Sequence, residues 1–254
     1  MDPIALEALQ RPEAYPHPAG NVRCIETHIS WVYLAGDFAY KIKKPVDLGF
    51  LDYSTSARRA ACCHEEVRLN RRLAPEWYLG VVGVHGPSAC AHVEGTGPII
   101  DHAVKMRAFP AEATLDREAA ITPEQIDAIA DRIAAFHAEA QPTPAGSPFG
   151  TPDTVLEPLR STLTMLSRLG LDDDAQASVQ ALSAWGIAEA DRLAAHFRAR
   201  HTDGFIRDCH GDLHLGNIAW VEGAPVIFDC IEFDAGLRSI DIVSECAFLT
   251  MDLM

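Results

Sequence analysis

His210-Gly211-Asp212-Leu213-His214-Leu215-Gly216-Asn217, followed by an apolar run that ends at Asp229, is the stretch from which the fold and chemistry of this chain are read. Phosphoryl transfer asks little covalent chemistry of a protein: it needs a carboxylate to orient the attacking hydroxyl, and oxygen ligands to hold magnesium on the phosphates. Asp212, Asn217 five residues later and Asp229 beyond a strand pair supply such a set. Ile218 to Val221 and Pro225 to Phe228, joined across Glu222-Gly223, form that strand pair and fold Asp229 back beside the loop. The same segment admits a rival chemistry. His210, Asp212 and His214 at H-x-D-x-H spacing would suit a metallohydrolase with an activated water, although no further histidine cluster joins them.

Upstream of this stretch the chain reads as helical. Thr122-Pro123-Glu124-Gln125 offers an N-cap threonine, a proline at the first helical position and a glutamine placed to close a capping box. Ile126, Ile129, Ile133 and His137 then recur at helical spacing, which predicts a helix to about Ala140 with His137 as a core histidine. Gln141 to Pro158, rich in proline, is expected to be a loop, followed by helices near Leu159 to Leu169 and Ala175 to Arg200. The earlier part is rich in strands: Val22 to His28, then Trp31 to Ala35 and Phe38 to Lys44 across a Gly36-Asp37 turn. A helix capped by Ser54, Thr55 or Ser56 runs to about Leu73, and strands follow at Tyr78 to Val84 and Ile99 to Phe109.

On the third of those strands, Lys41 and Lys43 share a face because strand side chains alternate, while Lys44 points away. Ala39-Tyr40-Lys41-Ile42 matches the V-A-I-K pattern of kinases, so Lys41 is the expected nucleotide-binding lysine and Lys43 the alternate. Glu66 lies on the apolar stripe of the following helix, and a carboxylate there needs a buried cationic partner. Met106 to Ala108, on the strand linking the two halves, are expected to offer backbone to an adenine ring. No G-x-G-x-x-G lies between Val22 and Trp31, which leaves open which backbone amides would hold a phosphate; Thr27 and Ser30 are read equally as donors there or as ordinary polar turn residues, and a Walker A sequence is absent. Glu232 and Asp234 are read as solvated turn acids.

The H-G-D-L-H-x-G-N version of the catalytic loop, ending in Ile-Phe-Asp, resembles the aminoglycoside phosphotransferase and choline kinase relatives. The resemblance implies an α+β, bilobal protein kinase-like fold, with a strand-rich N-lobe carrying one helix (1–108) and a mainly helical C-lobe (109–254). It also implies ATP and Mg2+ as cofactors and a small-molecule alcohol as acceptor. Position by position, Asp212 becomes the catalytic base, His210 the residue that braces its loop, Asn217 and Asp229 the magnesium ligands, and Asp241 a structural aspartate. Val46 to Asp52 and Glu26 to Tyr33 are similar to a bacterial subgroup in which such a domain precedes a P-loop kinase domain. With Ala247 to Met254 ending inside an apolar helical pattern, the expectation is a domain of a longer chain, with a sugar or other metabolite as substrate.

Composition agrees with this. At 254 residues and 48% apolar, the chain can bury a large core in one domain or two lobes. A net charge of -15 speaks against a nucleic-acid groove. No signal peptide or membrane-spanning run is visible, and seven scattered cysteines form no C-x-x-C pair, so a cytoplasmic protein with reduced thiols is expected. Beside the active kinase, a non-catalytic nucleotide-binding module serving a larger kinase remains an alternative, ranked above the metallohydrolase.

Overall fold

The computed structural model describes residues 2–144 and 146–254. Its centre is the hairpin of β2 (Ser30–Ala35) and β3 (Phe38–Lys43), in register from Ser30 opposite Lys43 to Ala35 opposite Phe38. Gly36, the first turn residue, has φ +58°, as a type II′ turn requires, and an added Cβ would stand 2.5 Å from the Pro18 carbonyl oxygen. This explains the Gly-Asp order.

Around that hairpin an antiparallel sheet forms from β1 (Arg23–Glu26), β4 (Tyr78–His85), β5 (His92–Val93) and β6 (Ile99–Arg107), in the order β1-β2-β3-β6-β4-β5. Alternation along β3 sends Tyr40 and Ile42 to one face and Lys41 and Lys43 to the other. The Tyr40 face is covered by a segment for which the sequence suggested no element: α1 (Pro3–Ala8), capped by Asp2, and the turns to Ala19. The Tyr33 hydroxyl donates to the Leu6 carbonyl at 3.1 Å, and the Tyr15 hydroxyl to Leu9 at 2.7 Å, which satisfies both phenols as they are buried. On the opposite face lies α2 (Ser56–Asn70), capped by Thr55, with Cys63 and Val67 packed against Tyr78 and Val104.

The helical half begins with α3 (Pro123–Glu139), where the Thr122 capping box forms as expected. Its Ile129, Ile133 and Phe136 pack with Leu69 of α2, with Leu73 just past the end of α2, and with Leu213, Ile218 and Ile227, so one apolar core joins both halves beside the Asp212 loop. The hairpin of β8 (Ile218–Val221) and β9 (Ala224–Ile227) follows that loop. A second small sheet pairs β7 (Ile206–Asp208) with β10 (Ser239–Asp241) on either side of it. A short helix, α6 (Ala235–Arg238), leads into β10, and α7 (Ile242–Asp252) closes the chain.

Two helices, α4 (Pro152–Ser167) and α5 (Asp173–Thr202), form a separate antiparallel arm through Leu163, Val179, Gly186 and Ala190. Here the expected loop to Pro158 is corrected. Thr151 caps α4, Pro152 occupies its first turn and Pro158 lies within it. No helix among the described residues is long and apolar enough to cross a membrane.

Candidate active site

Lys41 and Lys43 enter the site from the same face of β3, and both find Glu66. Lys41 Nζ lies 3.0 Å from Glu66 Oε1, and Lys43 Nζ 2.6 Å from Oε2. Lys41 also reaches Asp229 Oδ1 at 2.5 Å. Lys43 instead bonds Glu232, whose carboxylate also accepts the Tyr53 hydroxyl. Burial alone would lower both ammonium pKa values, but Asp229 and Glu66 hold Lys41, and Glu66 and Glu232 hold Lys43, well above the usual lysine value. Both lysines are therefore charged.

Glu232 corrects the expectation of a solvated turn acid. It is only 8% exposed, because the turn after Asp229 folds inward beneath β3 instead of outward. Asp234 caps α6 through the Gly236 N–H at 2.7 Å.

The loop carrying Asp212 is held by backbone and buried side chains. His210 Nε2 donates to the Phe228 carbonyl at 2.8 Å while Nδ1 accepts from the Asp212 N–H at 3.3 Å, which fixes one neutral tautomer. Burial keeps its pKa below the usual histidine value. With both ring nitrogens engaged, His210 has none to offer a metal, so the H-x-D-x-H set does not converge. Gly211 has φ +90°, and a Cβ there would meet the Leu237 carbonyl oxygen at 3.0 Å and Arg238 Cβ at 3.1 Å. From α7, Glu245 Oε1 accepts the N–H groups of His210 (2.6 Å) and Gly211 (2.9 Å), while Oε2 bonds His137 Nε2 at 2.6 Å. His137, Cys209 and Glu245 lie close enough to share a metal, yet the carboxylate is used by these bonds and the thiol donates to the Ile240 carbonyl.

Asn217 Nδ2 donates to the Asp212 carbonyl at 2.9 Å and to Asp212 Oδ2 at 3.3 Å, leaving the Asn217 Oδ1 lone pairs outside these bonds. Beyond the β8–β9 hairpin, the Phe228 N–H donates to the Asn217 carbonyl at 3.0 Å, which brings the chain entering Asp229 against Asn217. Asp229 has φ +66°, with its N–H on the Tyr78 hydroxyl at 3.1 Å. Lys41 holds its carboxyl below the usual aspartate value against the opposing effect of burial. The Asp212 and Asp229 side chains remain 44% and 41% exposed. Two carboxylates and an amide oxygen make an all-oxygen donor set that fits a hard divalent cation. Charge fits as well: in the connected cluster of Asp229, Lys41, Glu66, Lys43 and Glu232, the three carboxylates outnumber the two ammonium groups by one.

Asn70, one turn after Glu66 on α2, donates to the Glu66 carbonyl at 2.9 Å and accepts the Cys230 N–H at 2.9 Å. Arg72 donates to the carbonyls of Asp208 (2.6 Å) and Cys209 (3.0 Å). These links fix α2 to the catalytic loop. Sequence reasoning singled out neither residue, nor Tyr53, Tyr78 and Glu245; a buried polar side chain four residues after Glu66 was the available sign for Asn70.

The linking strand differs from expectation. Met106 is paired on both sides, opposite Ala39 and Tyr78. The Ala108 N–H, expected to face a purine, donates to the Asp37 carbonyl at 2.9 Å, because the Gly36-Asp37 turn folds onto the linker. The next N–H, that of Phe109, makes no hydrogen bond among the described residues. Of the candidate phosphate donors, the Thr27 hydroxyl donates to the Ser30 carbonyl at 3.2 Å, while the buried Ser30 hydroxyl has no partner.

A model of the phosphotransferase enzyme family matches residues 50–253. The chain belongs to that family. The resemblance to that family read from the Asp212 loop holds. An uncharacterized protein of Mycobacterium tuberculosis (strain ATCC 25618 / H37Rv) is 34% identical over 232 residues, covering 90% of this chain and 45% of that protein. An uncharacterized protein of Mycobacterium bovis (strain ATCC BAA-935 / AF2122/97) matches to the same extent. The chain spans less than half the length of these curated relatives. A solved choline/ethanolamine kinase family protein from Mesorhizobium loti is similar at a TM-score of 0.46 and 15% identity, over 98% of this chain and 70% of that one.

Proposed function

We propose that this phosphotransferase moves the γ-phosphate of ATP, with Mg2+, onto a hydroxyl of a small molecule such as an amino sugar, an aminoglycoside or a related metabolite. The observation that carries the proposal is Lys41, buried, hydrogen-bonded to Asp229 and ion-paired with Glu66. Glu66 aims Lys41 at the phosphates. Asp212 orients the acceptor hydroxyl and accepts its proton, with its loop braced by His210. Asn217 Oδ1 and the Asp229 carboxylate would hold magnesium, which when bound neutralises phosphate charge. The adenine is held from the Phe109 N–H, with Met106 beside it. In this scheme residues 1–108 hold the nucleotide and 109–254 carry the catalytic loop and the acceptor site. Cytoplasmic ATP would supply the donor. A P-loop kinase domain beyond this one, in a longer chain, stays part of the proposal, supported by the greater length of the relatives.

Calorimetry on the intact chain and on Asp229→Ala tests the nucleotide site. Magnesium-dependent ATP binding that weakens sharply in the variant is expected, and no binding by the unaltered chain would sink the proposal. In an acceptor screen, Asp212→Ala should turn over about 10² to 10⁴ more slowly while still binding ATP. Equal turnover would refute its role. Nucleotide binding with no turnover on any acceptor would favour the non-catalytic module.

A further inference from the structure

The second lysine of β3 and the acid after Asp229 form a buried pair that the proposed transfer does not use. Lys43 is fully buried, and its ammonium touches Glu66, Glu232 and, at 3.3 Å, the Tyr53 hydroxyl. Tyr53 is also fully buried, and burial together with Glu232 pushes its pKa far above the ordinary value, so its hydroxyl stays a donor to that carboxylate. Glu232 sits where a buried carboxylate needs compensating partners, and the Lys43 ammonium and the Tyr53 hydroxyl supply them. Glu66 is the shared member: one oxygen faces Lys41 and the other Lys43. Whatever neutralises Lys43 from the far side determines how much of Glu66 remains for Lys41, and hence how much positive charge stands beside Asp229.

We propose that Glu232 is a positioning residue that sets the charge of the nucleotide and metal site. By pairing with Lys43 it frees more of Glu66 for Lys41 and leaves the buried group of Lys41, Lys43, Glu66, Glu232 and Asp229 with one carboxylate in excess, the state in which the site takes a divalent cation with its nucleotide. Tyr53 and the strand that carries Lys43 hold Glu232 in place for this. The inference rests on the nucleotide site proposed above.

A mechanical clamp and a charge setter predict different patterns, because the first depends on the pair being present and the second only on the net charge. Glu232→Gln keeps the shape and the Tyr53 hydrogen bond but adds one positive charge. Lys43→Met keeps most of the side-chain volume and removes one. Magnesium would be titrated into each variant with ATP at fixed concentration, binding followed by calorimetry, with melting temperatures recorded in parallel. The magnesium half-saturation should rise about five-fold or more in Glu232→Gln and fall by a similar factor in Lys43→Met, since charges in a buried site are weakly screened. In the double variant, whose net charge equals that of the starting protein, it should return to within about two-fold of the original value, whatever happens to the melting temperature. Metal-free ATP should bind more tightly to Glu232→Gln and more weakly to Lys43→Met. Half-saturation that moves the same way in both single variants, stays put in both, or remains shifted in the double variant overturns the proposal. If one single variant does not fold, the sign of the other and the double variant still decide. Absence of ATP binding by the unaltered chain overturns the nucleotide site itself, an outcome distinct from normal binding with flat variants.

Discussion

His210 shows how one side chain couples the chemistry of the loop to the stability of the whole. Its neutral tautomer is required twice, as a donor to Phe228 and as an acceptor from Asp212. Protonation would abolish the second bond and place a charge in a fully buried position. Because burial lowers its folded-state pKa below the ordinary 6.5, the unfolded chain binds more protons between those two values. Its contribution is therefore complete above about pH 6.5 and is lost as pH falls through the window below. Urea unfolding at about pH 7.5 and about pH 5.5 should show lower stability at the acid value, with a smaller loss in His210→Asn. An equal loss in both proteins would assign the acid sensitivity to other groups. Lys41, Glu66 and the Asp212 loop are legible in sequence because alternation along a strand and spacing within a helix or loop are local. Glu232 is not, because its burial depends on how a distant turn folds.

At the scale of elements, α7 anchors the catalytic loop at both ends. Glu245 takes the N–H groups of His210 and Gly211, and Asp252 takes that of Leu215 at 2.7 Å. Asp241 caps the same helix through the Val243 N–H and holds Arg200 of α5 at 2.5 and 2.8 Å, the structural part expected of it. Removing an acceptor from buried donors costs about 1–3 kcal/mol for each group left unpaired. Glu245→Ala, which strands two backbone N–H groups and His137, is expected to destabilise the protein by about 3 kcal/mol or more. Glu245→Gln, which keeps an acceptor oxygen, should cost clearly less in the same denaturant titration. The start of α4 is legible in sequence: Thr151-Pro152 repeats the Thr122-Pro123 signal that opens α3. The prolines around it favour a loop on composition alone, yet a proline in the first turn of a helix gives up no hydrogen bond.

For the whole molecule, the decisive feature is that the site is assembled from both halves. Lys41 and Lys43 come from the sheet, Glu66 from the helix behind it, and Asp229 and Glu232 from the helical half. A ligand that bridges such groups stabilises the folded chain by linkage. Magnesium and ATP at about 100 times the dissociation constant should add about 2.7 kcal/mol to the unfolding free energy. Thermal or denaturant unfolding with and without the pair of ligands measures this, and no shift would contradict the proposed site.

What the sequence determined by itself is whatever depends on neighbours along the chain. The spacing of Asp212 and Asn217, the hairpin that returns Asp229, the shared face of Lys41 and Lys43, and the capped α3 all follow from local periodicity and turn chemistry. Only the tertiary structure decided which charges meet: Lys43 and Glu232 lie 189 residues apart, and their pairing needs the sheet and the helical half to close on one another. It likewise decided that the Ala108 N–H goes to Asp37, and that the N-terminal segment covers the outer face of the sheet. Such contacts are selected by the cost of leaving buried polar and apolar groups uncovered, and that cost arises only once the chain has packed.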